Sequence, residues 1–275
     1  MVNSKLIKLT EKFSDELFRY IIEEDDKKLK DLEKEVEQRI QDLEKSKDHS
    51  NYLLLPENKE HPELLFSLNR LSYNVEVELA AKKLEFKLKN SQGYIVGINF
   101  DQAEKISNSL NGFMNTPSLL AEALKIMKSG EGYDGLGNKL QSTKLKEAFK
   151  EITEVKLSWR AEWLGHNYSR KDGEMQVTYT KFVNGKLTKV TEPLDKKTLM
   201  KDKNINLEDW INNPTSQGLP SNNVSDGSLR YWPPKKESVA WFDADGGRAS
   251  LDCDWDPLGS VAGLGVRVVR KKNIK

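Results

Sequence analysis

The sequence predicts an α+β protein in which a charged helical segment precedes a domain of mixed helices and strands. Three stretches carry that expectation. A helical pattern runs without Pro or Gly from Leu6 to Lys47; strand, helix, turn and second helix follow from Tyr94; and Asn184-Gly185 separates two alternating runs. The chain has 275 residues, enough for one large domain or two smaller ones. Hydrophobic residues make up 37% against 32% charged, so part of the length is expected as exposed helix.

In the first segment Phe13, Leu17, Tyr20 and Ile21 recur at spacings of three and four, as do Leu29, Leu32, Val36, Ile40 and Leu43. The second set is a narrow seam of about two apolar residues per heptad between charged faces, the signature of a coiled coil. Residues 1–93 are therefore read as a helical oligomerisation segment; the plainer alternative is one amphipathic helix packed on its own domain. Asp48 to Pro62 breaks the helix, and its two histidines, His49 and His61, are expected to face solvent. Glu63 to Lys89 is ambiguous. Leu64, Leu65, Leu68 and Leu71 suit a helix, whereas Tyr73–Leu79 and Leu84–Leu88 alternate like strands; a helix continuing the stalk is preferred.

From Tyr94 the texture changes. Gly93–Ile98 reads as a short buried strand, and 101–110 as a helix capped by Asn99 or Asp101 and stopped near Gly112. Pro117, after Thr116, suits the first turn of a helix over 119–127. Residues 129–138 form a glycine-rich loop without phosphate-loop spacing. A short helix spans 142–151, and Trp159 to Trp163 reads as an aromatic and charged pair of turns. Val177–Val183 and Lys186–Val190 flank Asn184-Gly185, a β-hairpin with a type I′ turn because both turn positions need positive φ. Leu207–Ile211 is one or two helical turns, and 212–227 is loop.

Composition excludes several classes. Net charge is +1 with the two signs interleaved, so nucleic acid is a poor partner. Cys253 is the only cysteine, which rules out an internal disulfide and a thiolate zinc site. The N-terminus lacks a signal-peptide core, and no run approaches the ~20 apolar residues of a membrane span, so a soluble protein is expected.

The stretch from Tyr231 to Arg270 mixes framework with display. Trp232, Trp241, Trp255, Gly263, Gly265 and Arg267 look like scaffold; between them lie short polar residues that spell out no reaction. Ser238–Ala244 and Arg248–Cys253 form a hairpin about Asp245–Gly247. Trp241 and Val239 share a parity with Asp243 and Asp245, so a bulge or an irregular strand is expected.

Phe100-Asp-Gln-Ala103, Leu110–Pro117 and the closing Gly263–Arg270 together resemble the C-type lectin fold of the formylglycine-generating-enzyme type, over roughly residues 94–270. Within that superfamily, 228–270 is similar to the variable region of diversity-generating-retroelement target proteins, particularly the archaeal and archaeal-virus members. The resemblance implies a ligand- or receptor-binding protein rather than an enzyme, with no cofactor and a hypervariable surface rewritten at adenines. The partner it implies is a protein or glycan on a cell or virion surface. Adenine-rich asparagine codons cannot mutate to Trp, Lys or Glu codons, which leaves Trp232, Trp241 and Trp255 as scaffold. The displayed, mutable positions it implies are Tyr231, Phe242, Asp243, Asp245, Gly246, Arg248, Ser250, Asp252, Asp254, Asp256, Leu258, Ser260 and Val261.

An enzyme and a calcium-binding protein are the two alternatives. Enzymes of the superfamily use paired cysteines or clustered histidines, and this chain offers one cysteine and three scattered histidines; Glu162 beside His166 is the nearest thing to an acid/base pair. The aspartates at 243, 245, 252, 254 and 256 could supply calcium ligands, but their spacing fails the EF-hand template. A lectin-fold structural or surface protein without diversification is the remaining reading.

Overall fold

Asn99 opens the first described helix: its side chain accepts the backbone N–H of Gln102, whose side chain accepts the N–H of Asn99 in return, a capping box. This sets α1 at Phe100–Ser109. Thr116 caps α2, Pro117–Ser129, with proline in the first turn. Helices α3, Ser142–Thr153, and α4, Leu207–Asn212, follow. The computed structural model describes residues 51–70, 97–155, 160–244, 247–260 and 263–272. Residues 1–50 with the Leu29–Leu43 seam, residues 71–96, Trp159 and the turn residues Asp245 and Gly246 lie outside them, as does most of the strand expected over Gly93–Ile98.

Twelve strands among the described residues make the protein mixed α+β and mostly sheet. β1 (Tyr52–Leu55), β2 (Leu64–Ser67), β12 (Val268–Lys271) and β3 (Phe113–Met114) form a four-stranded sheet in that order. The larger sheet runs β6 (Lys186–Pro193), β5 (Glu174–Val183), β4 (Arg160–Lys171), β9 (Ser238–Ala244), β10 (Ala249–Trp255), β8 (Leu229–Trp232), β7 (Lys203–Ile205). β11 (Leu264–Val266) pairs in parallel with β4. The expected closing strand is thus two strands in two sheets, and Arg267 is the residue between them.

Three expectations are corrected. The preferred helix over Glu63–Lys89 fails at its start, because Leu64–Ser67 is a strand between β1 and β12. The boundary at residue 94 therefore cuts through one sheet. His61 is not solvent-facing: it is 8% exposed and bonds Glu122 of α2 at 2.9 Å. The pair of turns around Trp163 is the 12-residue strand β4.

The large sheet is covered on both faces at its centre. α1 seals one side with Phe100, Ala103 and Ile106 against Trp163, Trp241, Val239, Leu264 and Val266. The main core, with α2, α3, β1 and β2, lies on the other side against Leu164, Ala240, Phe242, Leu251 and Cys253. β9 is consequently buried at all seven positions, which is why its sequence shows no alternation.

Candidate functional site

The face that carries Trp241 is not sealed along its whole width. Cross-strand registry puts Asp243 beside Ser250 and Arg230, and Trp241 beside Asp252 and Trp232. Asn204 of β7 extends the first row. α1 covers the β11, β4 and β9 end of these rows. At the β10, β8 and β7 end, Ser250, Asp254, Arg230 and Trp232 are only half-buried. The half-covered strip is a polar surface that includes the Trp232 ring and is edged by Trp255.

A β-bulge fixes its boundary. After Asp252 the pairing shifts, so that Trp255 opposes Val239. In an unbroken strand Asp252 and Trp255 would face opposite sides; the extra residue returns Trp255 to the face of Trp241. The two indoles stack with centroids 4.0 Å apart and planes 22° from parallel. Trp163 follows at 5.7 Å and Phe100 packs edge-on against it at 5.9 Å. Each such pair adds about 1 kcal/mol beyond its burial, so this ladder is a rigid flank beside the strip. The bulge or irregularity expected in this hairpin lies here.

The charges on the strip are interlocked. Asp252 is 8% exposed, and its Oδ1 accepts the backbone N–H of Asp254 at 2.9 Å. Burial first, then the side-chain hydrogen bond and charge of Asp254 and the charge of Asp243, push the Asp252 carboxyl up to about 7, against the lowering effect of the Asp254 N–H. Asp254 pairs with Lys235. Arg230 lies 4.2 Å over the Trp232 ring and 3.5 Å from Asp202.

The expected display residues divide by parity. Asp243, Ser250, Asp252 and Asp254 belong to the strip or its margin. Arg248, Asp256, Leu258 and Ser260 are exposed at the two ends of β10, Leu258 at 76%. Tyr231 and Phe242 are corrected: they are 0% and 2% exposed and belong to the main core, Phe242 stacking on Trp210 at 6.3 Å. Their neighbours in sequence face the strip, so they face away from it. Asp245, Gly246 and Val261 lie outside the described residues. Of the scaffold set, Trp241 and Arg267 are buried, Gly265 is buried opposite Glu162, and Trp232 and Trp255 are half-buried. The carbonyl of Gly263 accepts from Arg70 and from the N–H of Ala161.

Arg230, Asn204, Asp202 and Lys235 were missed as members of the strip. β8 lies parallel to β10 although β9 comes between them in sequence, and no local signal announces such a crossover.

The groups weighed for catalysis and for calcium take other partners. Glu162 is bonded to Arg267 at 2.9 Å. His166 is fully buried, 4.8 Å from the Tyr179 ring and 3.3 Å from the Tyr168 hydroxyl, and burial lowers its pKa to about 3, which keeps it neutral. Asp256 accepts the N–H of Leu258 in its own turn. No group of three or more His, Cys, Asp or Glu among the described residues is gathered around a metal position, and no helix among them is long and apolar enough to cross a membrane.

No family model, no curated protein and no solved structure matches this chain.

Proposed function

We propose that this chain is a diversified ligand-binding protein, the target of a diversity-generating retroelement, built on a C-type lectin fold of the formylglycine-generating-enzyme type. The observation that supports it best is the split of one strand pair into two populations. Along β9 and β10, Trp241, Trp255, Phe242 and Leu251 are packing residues, while Arg248, Ser250, Asp252 and Asp254 line or border a half-covered polar strip. A rigid ladder beside exchangeable polar side chains is what a surface must have if it is to change without unfolding. The ligand would be a protein or glycan on a cell or virion surface, and self-association through Leu29–Leu43 would add avidity to weak single contacts.

Two measurements test this reading. Sequencing the coding locus should reveal a reverse transcriptase gene and a near-identical second copy of the last coding segment. The copies should differ at adenines within codons for residues such as Arg248, Ser250, Asp252 and Asp254, and not at Trp241 or Trp255. A locus without that second copy removes the diversification and leaves a fixed binding protein. Independently, libraries randomised at Arg248, Ser250, Asp254 and Leu258 should stay mostly folded by protease resistance, and libraries randomised at Tyr231 and Phe242 should not. Equal losses would sink the division into display and scaffold.

A further inference from the structure

A second polar cluster lies where the two sheets part, around Arg267. That side chain is 1% exposed and fully engaged: Nε donates to Glu162 at 2.9 Å, Nη2 to Glu151 at 3.0 Å, and Nη1 to the Ser67 carbonyl at 3.0 Å. Two more guanidiniums converge on it. Arg160, 9% exposed at the start of β4, donates Nε to the Glu151 carbonyl at 2.6 Å and Nη2 to the Glu154 carbonyl, holding the last carbonyls of α3. Arg70, after β2, donates Nη1 to the carbonyls of Ala161 and Gly263. Two buried donors have no partner among the described residues, Arg160 Nη1 and Arg70 Nε.

The three arginines and Glu151, Ile152, Ala161, Glu162 and Phe242 line one cavity of about 10 Å³. Three guanidiniums there face two carboxylates, and guanidinium cannot shed its proton to relieve the imbalance. Protonation of Glu162, which burial favours, would only increase the positive excess. Buried charge is costly unless compensated.

We infer that this cavity binds a single halide ion, chloride in ordinary buffer, held by Arg70 Nε and Arg160 Nη1. The size favours a small ligand: the volume suits one water-sized particle. Ile152 and Phe242 supply an apolar wall suited to a weakly hydrated ion. Such an ion ties together β2, the end of α3, the start of β4 and the crossing between β11 and β12, on the far side of β9 from the ligand strip.

The test is thermal melting of the full chain at constant ionic strength while chloride replaces gluconate. A ligand of the folded state raises its stability by mass action, so Tm should climb by about 3 °C between 5 and 300 mM chloride for a site of tens-of-millimolar affinity. Bromide should act like chloride and sulfate should not. Arg160→Gln and Arg70→Gln should each flatten the response, and either variant suffices if the other does not fold. A bromide-grown crystal should show an anomalous peak within hydrogen-bond reach of both arginines. Identical melting in chloride and gluconate, a response that survives both substitutions, or a cavity occupied by water alone would each overturn the inference.

Discussion

Asp252 is a buried carboxylate of the strip, and its carboxyl makes stability depend on pH. Its folded pKa, about 7, lies above the usual carboxylate range, so the native state binds this proton more tightly than the unfolded chain does. The stability it contributes is full below about pH 4 and is lost as pH rises through 7. Asp252→Asn keeps an oxygen for the Asp254 N–H and removes the charge. It should raise Tm relative to the parent at pH 8 and give no such gain at pH 4; paired melting curves at the two pH values decide it. The opposite case is Arg267. Replacing it with Met leaves Glu162 buried without its closest counter-charge, at a cost of about 3–5 kcal/mol, whereas Glu162→Gln should cost less because Glu151 and the Ser67 carbonyl still hold the guanidinium. Urea denaturation of the two variants should rank them in that order, and the reverse ranking would refute the assignment of Arg267 as the charge the core depends on.

Among the elements, the hairpin β5–β6 shows local chemistry in full control. Asn184 and Gly185 have φ of 52° and 75°, the turn that the dipeptide alone predicts. The loop after α4 is under tertiary control instead. Gly218 has φ of 82°, and a Cβ there would fall 2.0 Å from the Ser118 backbone nitrogen at the start of α2. Backbone cannot yield as a side chain tip can, so Gly218→Ala should destabilise the protein far more than Gly137→Ala. Gly137 has a similar φ of 85° but open space around it, and should lose only about 1–2 kcal/mol to backbone strain. Equal losses in denaturant titrations would show that strain, not the close approach of the loop to α2, dominates at Gly218.

For the whole molecule, the C-terminal strands are the seam that joins the two sheets. β11 extends the large sheet beside β4, and β12 runs between β2 and β3 in the small one. Residues 51–70 are thus part of the folded body, and a chain shortened to begin at Tyr94 would strip β1 and β2 from β12 and remove Leu53, Leu55, Leu64 and Phe66 from the core. A chain beginning at Asn51 keeps them. If the seam at Leu29–Leu43 drives self-association, light scattering should give a multiple of the monomer mass for the full chain and the monomer mass for the chain from Asn51. Equal monomeric masses would end the proposal of an oligomerising stalk.

What the sequence determined by itself was local. The caps of α1 and α2, the Asn184-Gly185 hairpin, the irregularity between β9 and β10, and the scaffold character of Trp241, Trp255 and Arg267 follow from side chains reaching a few residues along the chain or from size and charge. What only the tertiary structure decided was partnership. Leu64–Ser67 became a strand because Leu65 and Phe66 found Arg270 and Val269 across a ladder some 200 residues away in sequence. Tyr231 and Phe242, expected as display residues, turned inward because β8 and β9 have a core on that face too. Arg230 joined the strip through β8, laid parallel to β10, and Asp202 joined it through its pairing with Arg230. A strand records in its own sequence which residues alternate, but the side that is buried, and whether both are, depends on what packs against it from elsewhere.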